Sequence, residues 1–219
     1  MVDPDDPVDD DTHVQWGHRP SEVATEQPSI ARVYDYYLRG ASNFAADREF
    51  GMRAEAIIPE LHDLAVYNEL FLARAVRFCV ASGVRQFIDI GCGISKAGST
   101  HRIAHGADPG CRVVYVDNEA VAVESIRAAI AVDARLGVVR ADLREPDAVL
   151  SDPVTERMID FSEPVALIMG LVLHFVPDHD DPAGMLAHYR AHIAAGSYLV
   201  VSHDTADGRE DDMARFVAL

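Results

Sequence analysis

Phe87-Ile88-Asp89-Ile90-Gly91-Cys92-Gly93 is a short apolar run that ends in an acid and two glycines separated by one residue. The apolar run, Val84 to Ile90, is too short for a helix and lies between Gly83 and Gly91, which favours a buried parallel strand. Gly91 and Gly93 permit a tight turn and let a cofactor approach the backbone closely. The segment therefore predicts the first strand and cofactor turn of a Rossmann-like α/β domain.

The residues around this turn discriminate between cofactors. A dinucleotide motif has a third glycine three residues after Gly93, but Lys96 stands there, which disfavours NAD. Asp89 at the strand end can accept a hydrogen bond from a ligand ammonium, directly or through water. S-adenosylmethionine carries an ammonium and no phosphate, so it is favoured, and an NAD-dependent oxidoreductase ranks third.

Two further apolar runs also end in acids. Val113 to Val116 precedes Asp117-Asn118, where the acid is placed to accept both ribose hydroxyls of an adenosine and Asn118 lies at the adenine edge. Leu136 to Ala141 precedes Asp142-Leu143, where the acid can accept from the adenine amino group and the leucine can pack on the ring. Any one of the three aspartates could instead cap a helix, but three at successive strand ends indicate an adenosine site.

The remaining chain alternates strands and helices. We predict a fourth strand over Pro164 to Leu173, a helix over Asp180 to Ala194 and a fifth strand over Ser197 to Ser202. This alternation predicts a parallel, doubly wound sheet of order 3-2-1-4-5 with right-handed crossovers. Ligand then belongs at the carboxyl ends, between strands one and four.

Three regions are predicted. Residues 1–27 are acid-rich and lack apolar periodicity, which predicts a disordered tail. Residues 28–82 are predicted to form a helical preface that packs with residues 83–219, the cofactor-binding core, in one domain. Within the preface, Tyr36 and Asn43 are candidates for a lid over the cofactor.

Composition restricts the partners. The formal charge of −17 over 219 residues argues against nucleic acid or an anionic membrane. The three cysteines have no metal or redox spacing and no signal peptide precedes them, so we expect a reduced, cytoplasmic protein. No apolar run approaches the roughly 20 residues of a membrane span. No residue cluster stands out with zinc or calcium spacing, so no metal is expected.

The sequence resembles the actinobacterial S-adenosylmethionine-dependent methyltransferase family long described as a domain of unknown function, within the class I methyltransferase superfamily. The resemblance covers about residues 28 to 207 and is carried by Pro28 to Tyr36, Asn43 to Arg48, Phe71 to Arg77, Gln86 to Gly93, Val113 to Asn118, Ala141 to Arg144, His174 to Asp178 and Gly196 to Val200. It departs from the family pattern at Ala41-Ser42, Cys92 and Ser99. The resemblance implies a class I fold that binds S-adenosylmethionine and releases S-adenosylhomocysteine.

A general base is needed only when the methyl acceptor is a hydroxyl or a protonated amine. His174, predicted at the end of strand four, is the candidate, with Asp178 placed to orient it. Equally, His174 could cap the strand or bond the Pro177 turn, and His203-Asp204 is a second candidate.

These observations predict a methyltransferase acting on a small-molecule acceptor. The alternative is a non-catalytic S-adenosylmethionine- or S-adenosylhomocysteine-binding regulatory protein of the same fold. Two features favour it: the altered Ala41-Ser42, and the lack of room after strand five for the antiparallel hairpin with which such methyltransferases end. The oligomeric state is left open.

Overall fold

The computed structural model describes residues 25–94, 99–130 and 132–219. Lys96 and most of the predicted tail lie outside these ranges. The helices are α1 (Ile30–Tyr37), α2 (Ala45–Glu55), α3 (Leu61–Ala81), α4 (Ser99–Ala107), α5 (Ala120–Ile130), α6 (Pro146–Leu150), α7 (Pro153–Met158), α8 (Pro182–His192) and α9 (Glu210–Val217). The strands are β1 (Gln86–Ile90), β2 (Arg112–Asp117), β3 (Leu136–Arg140), β4 (Val165–Gly170) and β5 (Tyr198–Ser202).

The strands form a parallel sheet of order β3-β2-β1-β4-β5, as predicted. Phe87 of β1 pairs with Val113 on one side and Ala166 on the other. The strand order reverses between β1 and β4, so loops diverge there and open a crevice at the carboxyl ends.

The fourth strand ends earlier than predicted. β4 stops at Gly170, and Leu171 adopts a left-handed backbone conformation with φ of 49°. The Leu171 N–H donates to the Ser202 carbonyl and hydroxyl oxygens at 3.1 and 3.0 Å. The chain then makes a 3-10 turn, Leu173–Phe175, so His174 lies on this turn instead of on the strand.

Both faces of the sheet are covered by helices, which explains the nearly continuous apolar strands. α6, α7 and α8 pack on one face, through Val149, Leu150, Met158, Met185 and Tyr189. α3, α4 and α5 pack on the other, through Val76, Cys79, Val80, Ala104, Ile126 and Ile130. None of the helices within the described ranges has the length and apolar character needed to cross a bilayer.

The preface has its own apolar cluster, which joins α1, α2 and α3 through Val33, Tyr37, Phe50, Ala54 and Ala65. A buried ion pair lies beside this cluster. Arg32 Nε donates to Asp47 Oδ2 at 2.8 Å, and the two side chains are 4% and 0% exposed. Asp47 also accepts the backbone N–H groups of Ser29 and Phe44 at 2.9 and 2.7 Å. Asp47 therefore fixes the start of both α1 and α2.

The preface is attached to the core at the amino end of α1. Ser29 Oγ donates to Glu119 Oε2 at 2.5 Å, and the Ala31 N–H donates to Glu119 Oε1 at 3.4 Å. Ala31 also packs against Ile94 and Ala122. A carboxylate at a helix amino end is stabilised by the helix dipole, so Glu119 holds α1 over the turn that follows β1.

Replacing Asp47 tests the structural role of the buried pair. Asp47→Asn removes a buried charge that pairs with Arg32 and accepts the Ser29 and Phe44 N–H groups, so the free energy of unfolding should fall by about 3 to 5 kcal/mol in urea denaturation. Glu60→Gln is the control, because Glu60 and Arg209 form an exposed pair, 48% and 45% accessible, and its denaturation midpoint should stay close to wild type. Equal effects of both substitutions would contradict this role.

Candidate active site

The turn after β1 has the conformation that its glycines predict. Gly91 and Gly93 have φ of 72° and 62°, a region that residues with a side chain rarely adopt. A Cβ atom at Gly91 would lie 2.5 Å from Cγ2 of Val172, in the loop after β4. The Gly91 N–H donates to the Val116 carbonyl at 2.8 Å. The turn is thus packed between β2 and the β4 loop, at the switch point of the sheet.

Asp117 lies at the end of β2 and is nearly buried. Its Oδ2 accepts the Gly93 N–H at 2.8 Å, and its Oδ1 accepts the Glu119 N–H at 2.9 Å. The Asn118 N–H donates to this carboxylate as well. A carboxylate offers about four acceptor positions, so after three backbone donors about one remains for a ligand hydroxyl. Burial raises the pKa of Asp117 to about 6, against the lowering effect of the backbone hydrogen bonds.

Asp89 lies on β1 beside the turn. Its Oδ2 accepts the Thr100 hydroxyl at 2.7 Å. Loss of solvation raises the pKa of Asp89 to about 7; Thr100 lowers it, and the charges of Glu69 and Asp117 raise it further. The charged neighbours that act on this carboxyl group are thus both acids, which is the electrostatic setting for a cationic ligand group.

Cys92 occupies the middle of the glycine turn. Its thiol lies 3.3 Å from the Val116 carbonyl and 4.0 Å from Asp117 Oδ2. Burial raises the pKa of Cys92 well above its usual value. A thiol with a raised pKa is a weak nucleophile, so Cys92 serves as a small turn residue, and its contact with the cofactor stays a prediction.

The third predicted acid, Asp142, is tied to its neighbours. Arg144 donates from Nε to Asp142 Oδ1 at 3.0 Å and from Nη2 to Oδ2 at 2.7 Å, and Asn118 also donates to this carboxylate. Burial raises the pKa of Asp142, but these bonds outweigh it and the net shift is downward. The Leu143 carbonyl accepts the Tyr189 hydroxyl at 2.9 Å, which anchors the loop to α8.

Tyr36 and Asn43, the predicted lid residues, have hydrogen-bond partners within the preface, and their position over the cofactor stays a prediction. The Tyr36 hydroxyl donates to Glu55 Oε2 at 3.1 Å. Asn43 Nδ2 donates to Asp35 Oδ2 at 2.9 Å and to the Gly40 carbonyl at 3.0 Å. The sequence pattern predicts that both residues lie in the helical preface. It does not reveal that Glu55, Asp35 and the Gly40 carbonyl accept their hydrogen bonds.

On the other side of the crevice, His174 faces Asp204, whereas we predicted Asp178. His174 Nε2 lies 3.9 Å from Asp204 Oδ2, and the His203 ring is 5.7 Å away, edge-on. β4 and β5 are neighbours in the sheet, so the segments that follow them meet. Burial lowers the pKa of His174; Asp204 opposes this and His203 adds to it.

A hydrogen-bonded network beside this histidine was missed in the sequence. Asn68 Nδ2 donates to the Tyr34 hydroxyl at 2.9 Å, and Ser202 Oγ donates to Asn68 Oδ1 at 2.7 Å. The Tyr34 hydroxyl in turn donates to Glu69 Oε1 at 3.2 Å. The one sequence signal for this network was Asn68, because a polar residue at a buried position of a long helix needs hydrogen-bond partners.

Comparison with known proteins identifies the family. The sequence profile of the S-adenosyl methyltransferases matches residues 17–218. This chain belongs to that family. S-adenosylmethionine is therefore its cofactor, and the protein is an S-adenosylmethionine-dependent methyltransferase, as the resemblance implied.

Solved structures agree with this membership. A protein from Thermobifida fusca that has been described as a methyltransferase is 37% identical in sequence to this chain. The two structures superpose with a TM-score of 0.83, over 87% of this chain and 73% of the Thermobifida protein. A protein of the DUF574 family from Streptomyces avermitilis is 33% identical with a TM-score of 0.83, over 88% and 74%. The plantazolicin methyltransferase BpumL, 10% identical with a TM-score of 0.51 over 86% and 68%, shares the fold. A search of the curated proteins gave no match.

The residues at the crevice fit the methyltransferase cofactor. Gly91 and Gly93 carry no side chain that would keep a ligand away from the backbone of the turn. Asp117 retains acceptor capacity for a ligand hydroxyl, and Asp89 is a carboxyl group influenced by further acids, which suits an ammonium.

Substituting Asp117 tests the cofactor site. In Asp117→Asn the amide nitrogen must face either the Gly93 or the Glu119 N–H, so the turn loosens and S-adenosylhomocysteine should bind about 10- to 100-fold more weakly by calorimetry. Asp108→Asn is the matched control, because Asp108 precedes the amino end of β2 and accepts the Gly110 N–H. Unchanged affinity in Asp117→Asn would contradict the assignment.

The predicted role of Asp89 has a pH signature. Its pKa of about 7 means that the carboxyl group is largely protonated below that pH, while an ammonium ligand prefers the carboxylate. Affinity for S-adenosylhomocysteine should therefore rise between about pH 5.5 and 8 and level off above. Asp89→Asn should bind weakly and lose most of this dependence; a wild-type affinity that is flat over the range would refute the role.

Proposed function

We propose that this methyltransferase acts on a small acceptor that is neutral or cationic, with His174 as general base where the acceptor must lose a proton. The residues proposed to hold S-adenosylmethionine are Asp89, Gly91, Cys92 and Gly93 for the methionine part, Asp117 and Asn118 for the ribose and adenine edge, and Asp142 and Leu143 for the adenine. Tyr36 and Asn43 are proposed to form a lid over the cofactor, held in the preface by Glu55 and Asp35.

The charge around the crevice supports this class of acceptor. Burial is the largest cause of the raised pKa of both Asp89 and the Tyr34 hydroxyl, and nearby acids add to it: Glu69 and Asp117 for Asp89, and Glu69 and Asp204 for Tyr34. The acceptor side thus carries several carboxylates, on a chain of charge −17. A phenol, alcohol or amine can enter such a field, whereas a carboxylate or a nucleic acid backbone is repelled.

One observation carries the proposal for His174: within the described residues, its Nδ1 is buried and has no hydrogen-bond partner. A buried polar atom without a partner is costly, and such atoms occur where a ligand supplies the partner. Burial lowers the pKa of this imidazole and so favours its neutral form, although Asp204 opposes this. A neutral imidazole can accept a proton from a hydroxyl or an ammonium.

The chemistry follows from positioning. S-adenosylmethionine supplies an electrophilic methyl group on a sulfonium, whose thioether leaving group needs no acid. The protein has to orient the acceptor and exclude water, and proximity and orientation can supply roughly 7 to 11 kcal/mol. His174 takes the acceptor proton, and Asp204, 3.9 Å from Nε2, stabilises the imidazolium that forms.

We also infer a cytoplasmic protein of actinobacterial origin, with residues 28–82 and 83–219 folding as one unit. The relatives from Thermobifida and Streptomyces support the origin. The contacts of Ser29 and Ala31 with Glu119 support the single unit, because they join the preface to the core.

Turnover measurements test the proposal. Release of S-adenosylhomocysteine should be detected with members of a panel of phenols and amines and should be absent with carboxylates. For a phenol that the wild-type enzyme methylates, His174→Gln should lower kcat about 100- to 10,000-fold. The affinity of this variant for S-adenosylhomocysteine should stay at the wild-type value.

His179→Gln is the matched control, because His179 lies in the same connection between β4 and α8 and its side chain is 81% exposed. It should keep full turnover. Wild-type kcat in His174→Gln would exclude this histidine as the base, and turnover limited to carboxylates would contradict the proposed acceptor class.

A further inference from the structure

We propose that Asp147, His188 and His192 form a binding site for a divalent transition-metal ion, with Zn²⁺ as the best match. One ligand atom from each residue lies within 4.8 Å of the others. Imidazole nitrogens and a carboxylate oxygen are the ligands that Zn²⁺ takes in proteins. The site lies outside the cofactor crevice and is independent of the acceptor chemistry.

Two helices build the site. His188 and His192 are four residues apart on α8 and so share a face, with stacked rings whose centroids are 4.7 Å apart and whose planes differ by 9°. Asp147 comes from α6, and its Oδ1 accepts a hydrogen bond from His188 Nε2 at 2.8 Å. We expected no metal from the sequence and overlooked the spacing of four residues between the two histidines, and the approach of Asp147 is not visible in the sequence.

The His192 imidazole is held in a tautomer that suits a metal. Its Nδ1–H donates to the His188 carbonyl at 2.9 Å, which leaves the Nε2 lone pair available in the neutral ring. Metal-binding histidines characteristically donate their other N–H to a carbonyl or carboxylate in this way, and the bond fixes both the tautomer and the ring direction.

Charge and access also favour a cation here. His192 is the last residue of α8, where the negative end of the helix dipole attracts positive charge. The side chains of His188 and Asp147 are 39% and 79% exposed, so an ion can reach them from solvent. The atoms that bind one zinc ion lie roughly 3.3 Å from each other, whereas the three ligand atoms here lie within 4.8 Å of one another. Rotation of these exposed side chains can bring the atoms to the shorter distance.

Binding exchanges one proton for the ion. The metal takes the place of the proton that His188 Nε2 shares with Asp147, and that proton passes to solvent. The bound ion would tie α6 to α8. α6 follows the loop that carries Asp142 and Leu143, so the ion would brace the helix beside the proposed adenine end of the crevice. We therefore expect a stabilising role.

Calorimetric titration of the full chain with zinc chloride tests the proposal, and the protein must be untagged because a polyhistidine tag binds the same ions. One equivalent should bind with a Kd of about 10 μM or tighter and should raise the melting temperature by several degrees. His188→Gln and His192→Gln should each weaken binding by about 10-fold or more. His179→Gln, an exposed histidine outside the site, should bind as wild type does.

Cobalt chloride provides a second readout, because Co²⁺ in a site with three or four protein ligands gives visible absorption bands that the two histidine variants should lose. Melting of every variant without metal controls for folding. If His188→Gln is less stable without metal, the zinc affinity of His192→Gln decides the test, because that variant keeps the contact between His188 and Asp147. Absence of zinc binding below about 1 mM, or binding that persists in both histidine variants, would overturn the proposal.

Discussion

The carboxylate of Asp117 connects the cofactor turn to the rest of the molecule. It accepts the N–H of Gly93 on one side and the N–H of Glu119 on the other, so it holds the turn closed and begins α5. Glu119 in turn binds Ser29 and the first turn of α1. Removing this carboxylate would therefore disturb both the glycine turn and the attachment of the preface.

The same region concentrates negative charge. Asp89 and Asp117 have raised pKa values because they are withdrawn from water near each other and near other acids. Burying acids in this way opposes folding, and perturbed carboxyl groups in a crevice are characteristic of functional sites. A ligand ammonium would relieve part of this cost, which couples cofactor binding to the protonation of the site.

The sequence predicted the fold well because the deciding signals are local. Short apolar strands between glycines, acids at their carboxyl ends and alternating helices determine a doubly wound sheet, and the order 3-2-1-4-5 followed. The error at the end of β4 has a physical cause, since the bonds of Leu171 to Ser202 depend on the neighbouring strand.

The site was predicted less completely because its partners come from distant segments. Asp204 beside His174, Glu119 beneath α1 and Asn118 on Asp142 are tertiary contacts, which periodicity does not reveal. The hydrogen bond from the Asn43 amide to the Asp35 carboxylate is another contact that the sequence pattern does not reveal.

A crystal structure of the protein with S-adenosylhomocysteine would test the central claim most directly. The account predicts the ribose hydroxyls on Asp117, the amino group of the ligand on the Asp89 side of the Gly91–Gly93 turn, and the adenine beside Asp142 and Leu143. The ligand bound at the amino edge of the sheet, or in the crevice without a contact to Asp117, would contradict it.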